Sequence, residues 1–339
     1  MKIPAPKKLP SGRWYIQVMV DGKRLGQSFD TDLDAIYWAS GIKTKSIEET
    51  KSPRSLSVSE AVDRYIDSKS AVLSPSTIVG YKRIKDGWMG SIQSVKLPDL
   101  TQEKIQRWVN QLAKEKSPKT VANAHGLLSA VLAEYKPAMA LRTTLPQRRK
   151  HEVKIPSEHD IKAILSTSKG TRYELPILLA TWLGLRESEI LGLTWDCLDG
   201  DYLQIKQAVV IGEDGPVMKS TKSYSGTRKI RLPAYIKELI QKRPHTGDRI
   251  MNCTGTAIYR GFCRVCDKAG VPHYRFHDLR HFNASVMLAA HIPDKYSMKR
   301  MGHATSNMLK TTYQHTIQEK ELEYDDLIDE SIQQFMTTD

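Results

Sequence analysis

Four helix-start signals between residues 56 and 136 constrain the fold of this chain more than any other feature. The signals are the capping box Ser57-x-x-Glu60, the pairs Ser74-Pro75 and Ser117-Pro118, and Thr101. Apolar residues recur at helical spacing after each of them: Val58, Ala61, Val62, Tyr65 and Ile66; Ile78, Tyr81 and Ile84; Ile105, Trp108, Val109 and Leu112; and Val121, Ala124, Leu128, Val131, Leu132 and Tyr135. Four amphipathic helices with short links predict a small helical bundle over residues 56–136.

The first 52 residues carry a different pattern, a hairpin followed by a helix. Residues 13–20 and 23–29 are predicted strands joined at Asp21-Gly22, a dipeptide typical of tight hairpin turns. A helix over about residues 33–47 follows, and we expect its apolar side to cover the sheet. That side comprises Leu33, Ile36, Tyr37, Ser40 and Ile47. Residues 1–52 are therefore predicted to form a separate small unit.

Residues 137–156 have the composition of a linker. They contain three prolines, a basic run at 148–151 and almost no apolar periodicity. We expect this linker to cross a nucleic acid backbone. Residues 157–318 mix helical patterns with strand patterns near residues 202–210 and 229–232, which predicts an α+β domain.

Charge indicates the kind of partner. The chain holds 51 Lys and Arg against 38 Asp and Glu, a net charge of +13. Residues 319–339 contain eight acids and one Lys, so the rest of the chain is more basic still, as is typical of a protein that binds DNA. The candidate DNA contacts lie in the hairpin, the bundle and the linker: Arg13, Lys23 and Arg24; Lys82, Arg83 and Lys119; and Arg148, Arg149 and Lys150. For the hairpin and bundle residues, a solvated surface is an alternative of similar weight.

Several classes of protein are disfavoured by what the sequence lacks. It has no secretion signal and no run of 18 apolar residues, so we expect a cytoplasmic protein without a membrane partner. Four cysteines favour a reducing compartment, and Cys263-x-x-Cys266 lacks the second pair that a zinc site needs. Phosphate-binding loops, dinucleotide fingerprints, nucleophile elbows and zinc-protease motifs are missing too. We therefore expect neither a metal nor a cofactor.

Five short boxes carry residues that suit phosphoryl transfer. In chain order they are Gly184-Leu185-Arg186-Glu187-Ser188-Glu189, Thr221-Lys222-Ser223 at the tip of a predicted hairpin, His277-Asp278-Leu279-Arg280-His281, Met301-Gly302-His303, and Tyr313. Their order and spacing resemble the tyrosine recombinase (phage integrase) family, whose pattern is Arg, Lys, His-x-x-Arg, Gly-His and Tyr. The departures are small: Met301 stands where Leu is usual, and Phe282-Asn283 where a small hydroxyl residue is common.

The chemistry of attack on a phosphodiester explains why these residue types belong together. The transition state carries extra negative charge on two non-bridging oxygens. Arginine stays protonated and offers a planar fork to two oxygens, so Arg186 and Arg280 suit the scissile phosphate. A tyrosine hydroxyl becomes a usable nucleophile when such cations stabilise its phenolate, which makes Tyr313 the candidate and Tyr324 its competitor.

The resemblance implies the remaining roles. Lys222 would protonate the departing 5′ oxygen, with nearby Lys219 as the less favoured choice. His277 would assist proton transfer at the tyrosine, and His303 would hydrogen-bond a phosphate oxygen. The covalent 3′-phosphotyrosine keeps the bond energy, so resealing would need no ATP. Glu189 is expected to orient an Arg or His, and Asp278 to accept hydrogen bonds at a helix start.

The resemblance also implies a multidomain protein, mainly α with small β-sheets. Residues 1–52 would be a three-stranded sheet with a helix that binds arm-type DNA sites, residues 56–136 a helical (SAM-like) core-binding domain, and residues 157–318 the α+β tyrosine recombinase catalytic domain. The acidic segment 319–339 has apolar residues near helical spacing and would dock on a neighbouring protomer. Folding back onto its own domain stays open as the alternative.

Together these features predict a site-specific recombinase that acts on double-stranded DNA as a homotetramer. It would integrate or excise a mobile element through a Holliday junction, at core-type and arm-type attachment sites, with a DNA-bending or excision protein as a further partner. Two alternatives stay open: a resolvase or invertase of the same family, and a catalytically inactive DNA-binding regulator on the same scaffold.

Overall fold

The computed structural model describes residues 4–20, 23–50, 56–147, 154–220 and 227–302. The chain divides into two compact units, Met1–Arg149 and Lys150–Asp339. Each unit is considered by itself below.

The first unit begins with a three-stranded antiparallel sheet covered by one helix. The strands β1 (Lys7–Lys8), β2 (Trp14–Val20) and β3 (Lys23–Phe29) lie in chain order, and α1 spans Asp32–Thr50. The register pairs Val20 with Lys23 at the predicted hairpin end. This confirms the predicted sheet-plus-helix pattern.

The predicted sheet-facing side of α1 is wrong. Ala35 and Ala39 are fully buried against Ile16 and Val18 of the sheet. Leu33, Ile36 and Tyr37, which were expected to cover the sheet, are 63%, 38% and 78% exposed. Small side chains let a helix lie close to a sheet, so the alanines occupy the interface although they bury less apolar area each. Trp38 and Ile42 also pack against this core, partly buried, on the side of α1 opposite to that predicted.

The four predicted helices of the bundle are present. They are α2 (Val58–Lys69), α3 (Pro75–Trp88), α4 (Gln102–Glu115) and α5 (Pro118–Tyr135). The capping box at the start of α2 is formed, since the Ser57 amide donates to Glu60 Oε2 at 2.7 Å and the Glu60 amide to Ser57 Oγ at 3.3 Å. The apolar stripes of all four helices meet in one core around Trp108, whose indole N–H donates to the Trp88 carbonyl at 2.7 Å.

The first half of the predicted linker packs on this bundle instead of lying free. Met139, Leu141 and Leu145 contact the bundle core. Two glutamines one turn apart on α4 hold the extended backbone beside them: Gln106 donates to the Thr144 carbonyl at 3.1 Å and accepts from the Thr144 amide at 2.9 Å, and Gln102 pairs in the same way with residues 140 and 142. The residues that make these contacts are scattered and form no regular apolar pattern, so the packing of this segment was not predicted from the sequence.

The second unit combines seven helices with short strands in the part of it that the structure describes. The helices are α6 (Glu158–Ser168), α7 (Glu174–Thr181), α8 (Glu187–Leu191), α9 (Ala234–Gln241), α10 (Gly255–Ala269), α11 (Asp278–Ala289) and α12 (Asp294–Met301), with a 3₁₀ turn at Trp195–Cys197. The strands β4 (Leu198–Asp199), β5 (Tyr202–Ile205) and β8 (Arg228–Arg231) form one antiparallel sheet, and β6 (Gln207–Gly212) pairs with β7 (Gly215–Ser220). The buried α7, which contributes Leu175 and Leu179, runs through the core of this unit.

The hairpin tip predicted to carry Lys222 falls outside the described residues. The hairpin that the structure describes in this region is β6–β7, which turns between Gly212 and Gly215. The strand β7 was not predicted, because its residues 215–220 lack apolar alternation and are largely exposed.

The mainly α, multidomain fold with small β-sheets is thus confirmed. Across the described ranges, no helix has the length and apolar character needed to cross a membrane.

Candidate active site

Residues from two of the sequence boxes, together with one residue outside them, meet where the start of α8, the strand β8, the start of α11 and the end of α12 come together. The set comprises Arg186, Glu189, Arg228, His277 and Arg280. In sequence these residues are spread over nearly a hundred positions, so only the fold brings them to one place.

Arg186 immediately precedes α8 and points its guanidinium to the end of α12. Its Nη1 donates to Glu189 Oε1 at 2.8 Å, and its Nη2 donates to the Gly302 carbonyl at 3.1 Å. The side chain is 31% exposed, so part of the fork remains open to a ligand. The Arg186 amide also donates to Glu189 Oε2 at 2.9 Å, which ties the start of the helix to the same carboxylate.

Glu189 is a buried carboxylate held between two guanidiniums. Arg228 donates from Nη1 to Oε1 at 3.0 Å and from Nη2 to Oε2 at 2.8 Å, and both side chains are almost completely buried. Burial by itself would raise the pKa of Glu189, but hydrogen bonds and charge from Arg228, together with the charge of Arg186, hold it at about 2. The expectation that Glu189 orients an arginine agrees with these contacts.

Arg280 extends from the first turn of α11 and is only 2% exposed. Its Nη1 donates to the Gly184 carbonyl and its Nη2 to the Met301 carbonyl. Burial, together with the positive charge of Arg186, lowers the pKa of Arg280 to about 9, so the guanidinium stays protonated at neutral pH.

Three consecutive carbonyls at the end of α12 each accept a hydrogen bond from a different arginine. Arg228 Nε donates to the carbonyl of residue 300 at 2.8 Å, while Arg280 and Arg186 bind the carbonyls of Met301 and Gly302. The last carbonyls of a helix lack partners within it and carry the negative end of its dipole, so cations are the natural partners. Gly302, at φ 65°, ends the helix in the left-handed conformation. The three arginines thereby fix the point at which the chain leaves α12.

His277 lies just before α11, with its ring partly buried beside the arginines. Its ring meets that of His281 edge to face, with 4.9 Å between centroids. Partial burial, followed by the positive charges of His281, Arg280 and Arg186, lowers the pKa of His277 to about 4. The ring is therefore neutral at pH 7 and able to accept a proton. Asp278 accepts the Arg275 amide at 2.8 Å, as expected of an acceptor at a helix start.

Several predicted site residues lie outside the described part of the chain. They are Lys222, His303 and Tyr313, the linker residues Arg148, Arg149 and Lys150, and the segment 319–339. The structure does bring Arg186, His277 and Arg280 together, and Gly302, the residue before His303, is in the same cluster.

Sequence reasoning missed Arg228. The signal was present: residues 228–231 alternate buried and exposed, so Arg228 faces inward in phase with Ile230. A charged residue on the buried side of a strand requires a buried partner, and Glu189 is that partner.

The candidate DNA contacts of the hairpin and bundle lie in the first unit. Arg13 is half exposed, with Nε 3.1 Å from Asp30 Oδ1 and Nη2 3.1 Å from the Ser28 carbonyl, so it braces the sheet. Arg24, Arg83 and Lys119 are exposed and Lys82 is half-buried, while the Lys23 side chain lies outside the described part.

No group of three or more His, Cys, Asp or Glu side chains is arranged to hold a metal ion within the described residues. Cys263 and Cys266 both lie on α10, with Cys266 buried.

Comparison with known proteins places this cluster in context. The phage integrase family pattern matches residues 156–320. A putative prophage phiRv2 integrase of Mycobacterium tuberculosis is 23% identical over 94% of this chain and 92% of its own length. Among solved structures, the Tn1549 transposon integrase in complex with transposon right end DNA gives a TM-score of 0.65 at 18% identity, over 76% of this chain and 95% of that chain. A lambda integrase tetramer bound to a Holliday junction gives 0.59 at 17% identity, over 91% of this chain and 95% of that chain. At these identities the two structural matches show a shared fold.

Proposed function

Because the chain belongs to the tyrosine recombinase (phage integrase) family and is a site-specific recombinase, we propose that it is the integrase of a phage or integrative element. It would cut and rejoin double-stranded DNA through a covalent 3′-phosphotyrosine and a Holliday junction. The resolvase or invertase alternative lacks a role for residues 1–52, and the inactive regulator lacks a role for the complete set of boxes.

One observation carries the proposal: two arginines from distant parts of the chain are held side by side. Arg280 and Arg186 bind the adjacent carbonyls of Met301 and Gly302, so their forks lie next to each other. Phosphodiester cleavage needs fixed positive charge at two non-bridging oxygens, and preorganised guanidiniums supply it without reorganisation during the reaction. Arg186 is partly exposed and would meet the phosphate first.

The reaction would proceed by attack of the Tyr313 hydroxyl oxygen on the scissile phosphorus. The new Tyr–O–P bond forms as the bond from phosphorus to the 5′ oxygen breaks, and the 5′ oxygen leaves as a hydroxyl with a proton from Lys222. His277, neutral at pH 7, would accept the tyrosine proton. His303 would hydrogen-bond a phosphate oxygen, and Arg186 and Arg280 would hold the charge. Attack by another strand's 5′ hydroxyl reverses these steps and reseals the DNA.

The first unit would supply DNA binding at two kinds of site. The three-stranded sheet and α1 suit an arm-type site, with Arg13, Lys23 and Arg24 as candidate contacts. The bundle would bind the core site through Lys82, Arg83 and Lys119, and the linker residues Arg148, Arg149 and Lys150 would cross the DNA backbone. The net charge of +13 and the DNA-bound solved relatives support this assignment.

Four protomers would assemble on two DNA sites, with the segment 319–339 docking on a neighbour. The lambda integrase tetramer on a Holliday junction, which shares the fold, supports such an assembly. A DNA-bending or excision protein would be a further partner.

The experiment that tests this function is covalent trapping on a nicked attachment-site substrate. Such a substrate loses the short fragment that bears the 5′ hydroxyl, so a cleaved intermediate accumulates as a protein–DNA adduct. The unmodified protein should form the adduct, Tyr313→Phe should bind the DNA without forming it, and Tyr324→Phe should behave as the unmodified protein. An adduct that survives Tyr313→Phe and is lost in Tyr324→Phe would move the nucleophile and refute this assignment.

A further inference from the structure

The feature that the proposed function leaves unused is Arg228. Its side chain is 2% exposed, and every part of its fork is engaged: Nη1 and Nη2 on the two oxygens of Glu189, and Nε on the carbonyl of residue 300. All three guanidinium nitrogens of Arg228 are bonded inside the protein, so this side chain lacks the partly exposed fork that Arg186 offers to a phosphate. It nevertheless contacts both structures that hold Arg186, namely Glu189 and the end of α12.

The first consequence concerns the geometry of Arg186. Glu189 shares its Oε1 between Arg186 at 2.8 Å and Arg228 at 3.0 Å. With Arg228 absent, Glu189 would be a buried carboxylate with one cationic side chain, Arg186, in contact with it. The strongest compensation for its buried charge would then be a pair in which both Glu189 oxygens bind the Arg186 guanidinium. That pairing would draw the Arg186 fork inward, away from the position at which it meets a phosphate.

The second consequence concerns charge. One carboxylate and three guanidiniums, those of Arg186, Arg228 and Arg280, leave a net charge of +2 in the cluster. Arg228 neutralises Glu189, which leaves the charges of Arg186 and Arg280 available to a phosphodiester. Loss of Arg228 would halve that net charge.

We propose that Arg228 is a positioning residue for recombination: it holds Glu189 and the last turn of α12 together so that Arg186 and the chain entering His303 keep the geometry required for phosphate cleavage. This inference rests on the proposed function, because its first readout is cleavage. It assigns to Arg228 no contact with DNA.

The test compares Arg228→Gln, Arg228→Lys and the matched control Arg231→Gln, which removes the same charge from an exposed position of the same strand. Single-turnover adduct formation on the nicked substrate should fall about 10- to 100-fold in Arg228→Gln, since a displacement of about 1 Å in a catalytic group has effects of that size. Binding to the same DNA should change less than about threefold, and Arg231→Gln should cleave as the unmodified protein. The lysine variant keeps the charge but cannot bind both Glu189 oxygens and the carbonyl at once, so it should also cleave slowly.

A pH profile distinguishes positioning from a general loss of folding. The charged and titratable groups that act on Glu189 within the described residues are Arg186 beside it, Arg228 from β8, His277 just before α11 and Arg280 on α11. Without Arg228, burial should raise the pKa of the Glu189 carboxyl, and its protonation would release Arg186. Arg228→Gln should therefore recover part of its lost cleavage, relative to Arg231→Gln, as the pH falls toward this raised pKa, whereas Arg228→Lys and the double variant Glu189→Gln/Arg228→Gln should not show this added acid dependence.

Hydrogen exchange supplies a readout independent of cleavage. Amides at the end of α12, residues 298–302, should exchange faster in Arg228→Gln than in Arg231→Gln, because one of the three carbonyl contacts is lost. The inference is overturned if Arg228→Gln or Arg228→Lys cleaves within twofold of Arg231→Gln. It is also overturned if the cleavage rates of both variants fall only in proportion to their unfolded fractions and the pH profile of Arg228→Gln is unchanged. If the unmodified protein and Arg231→Gln form no adduct either, it is the proposed function that fails.

Discussion

The carbonyl of Gly184 accepts a hydrogen bond from the buried guanidinium of Arg280, and Gly184 adopts a φ of 69° to present it. A Cβ at this position would lie 2.6 Å from Met301 Sδ and 2.8 Å from Asn283 Oδ1. The residue therefore needs to be glycine for two separate reasons, a left-handed backbone and a close approach by α11 and α12. The position of one of the two candidate phosphate-binding arginines depends on it.

Gly184→Ala should accordingly lower both stability and cleavage. The left-handed backbone and the crowding together should reduce the free energy of unfolding by about 2–4 kcal/mol. Gly170→Ala is the matched control, because Gly170 has a φ of 71° but nothing within 4 Å of an added Cβ. That variant should lose only about 1 kcal/mol and keep full cleavage. Denaturant unfolding of both variants measures the difference; equal losses would show that the contacts with Met301 and Asn283 are immaterial.

Whether a structural feature could be predicted from the sequence depends on how far apart in the chain the residues that form it lie. The capping box of Ser57 and Glu60 is a contact between near neighbours, and the helix that it starts was predicted correctly. The side of α1 that faces the sheet depends on how closely the two pack, and there Ala35 and Ala39 displaced the larger residues expected at the interface. Whether a helix forms depends on residues close together in the sequence, whereas the side that it turns to the core depends on the surface against which it packs.

The same distinction applies to the candidate site. The boxes of Arg186, His277 and Arg280 were recognisable because they stand, with the other boxes, in the order and spacing of the tyrosine recombinase pattern. The carbonyls of residues 300–302, which hold the arginines in place, carry no sequence signature because every residue has one. The strand β7 was not predicted, because its exposed residues 215–220 lack the apolar alternation that indicates a strand.

His277 should make the protein lose stability as the pH falls below 6.5. Its pKa in the folded protein is lowered to about 4, so between pH 6.5 and 4 the unfolded chain binds a proton that the folded protein does not. The stabilisation is present above pH 6.5 and is lost progressively as the pH approaches 4. His277→Asn should flatten this part of a plot of unfolding free energy against pH, whereas the exposed control His273→Asn should not. A titration midpoint of His277 near 6.5 in proton NMR of the free protein would contradict the neutral, proton-accepting role proposed for it.

Lys222→Ala should slow cleavage of ordinary DNA by a factor on the order of 10² to 10⁴ if Lys222 protonates the leaving 5′ oxygen. A substrate with sulfur in place of that bridging oxygen needs no proton on its leaving group, so most of the lost rate should return. Lys219→Ala, which alters the neighbouring lysine on β7, should cleave both substrates at normal rates. If Lys222→Ala is equally slow on both substrates, Lys222 binds the phosphate instead, and rescue confined to Lys219→Ala would transfer the role of the acid to Lys219.

Truncation after Gln318 should separate DNA binding from assembly. The removed segment carries Leu322, Leu327, Ile328, Ile332 and Phe335 near helical spacing, with acidic residues at most of the positions between them. An amphipathic helix of this kind needs an apolar surface to cover, and a neighbouring protomer would provide one while linking the active sites of a tetramer. On that basis the truncated protein should bind a single core site with nearly unchanged affinity but sediment as smaller species on paired sites, and the order of strand cleavage should change. Tetramers that persist undiminished on DNA, together with a lower thermal stability of the isolated protomer, would instead establish that the segment folds back onto its own domain.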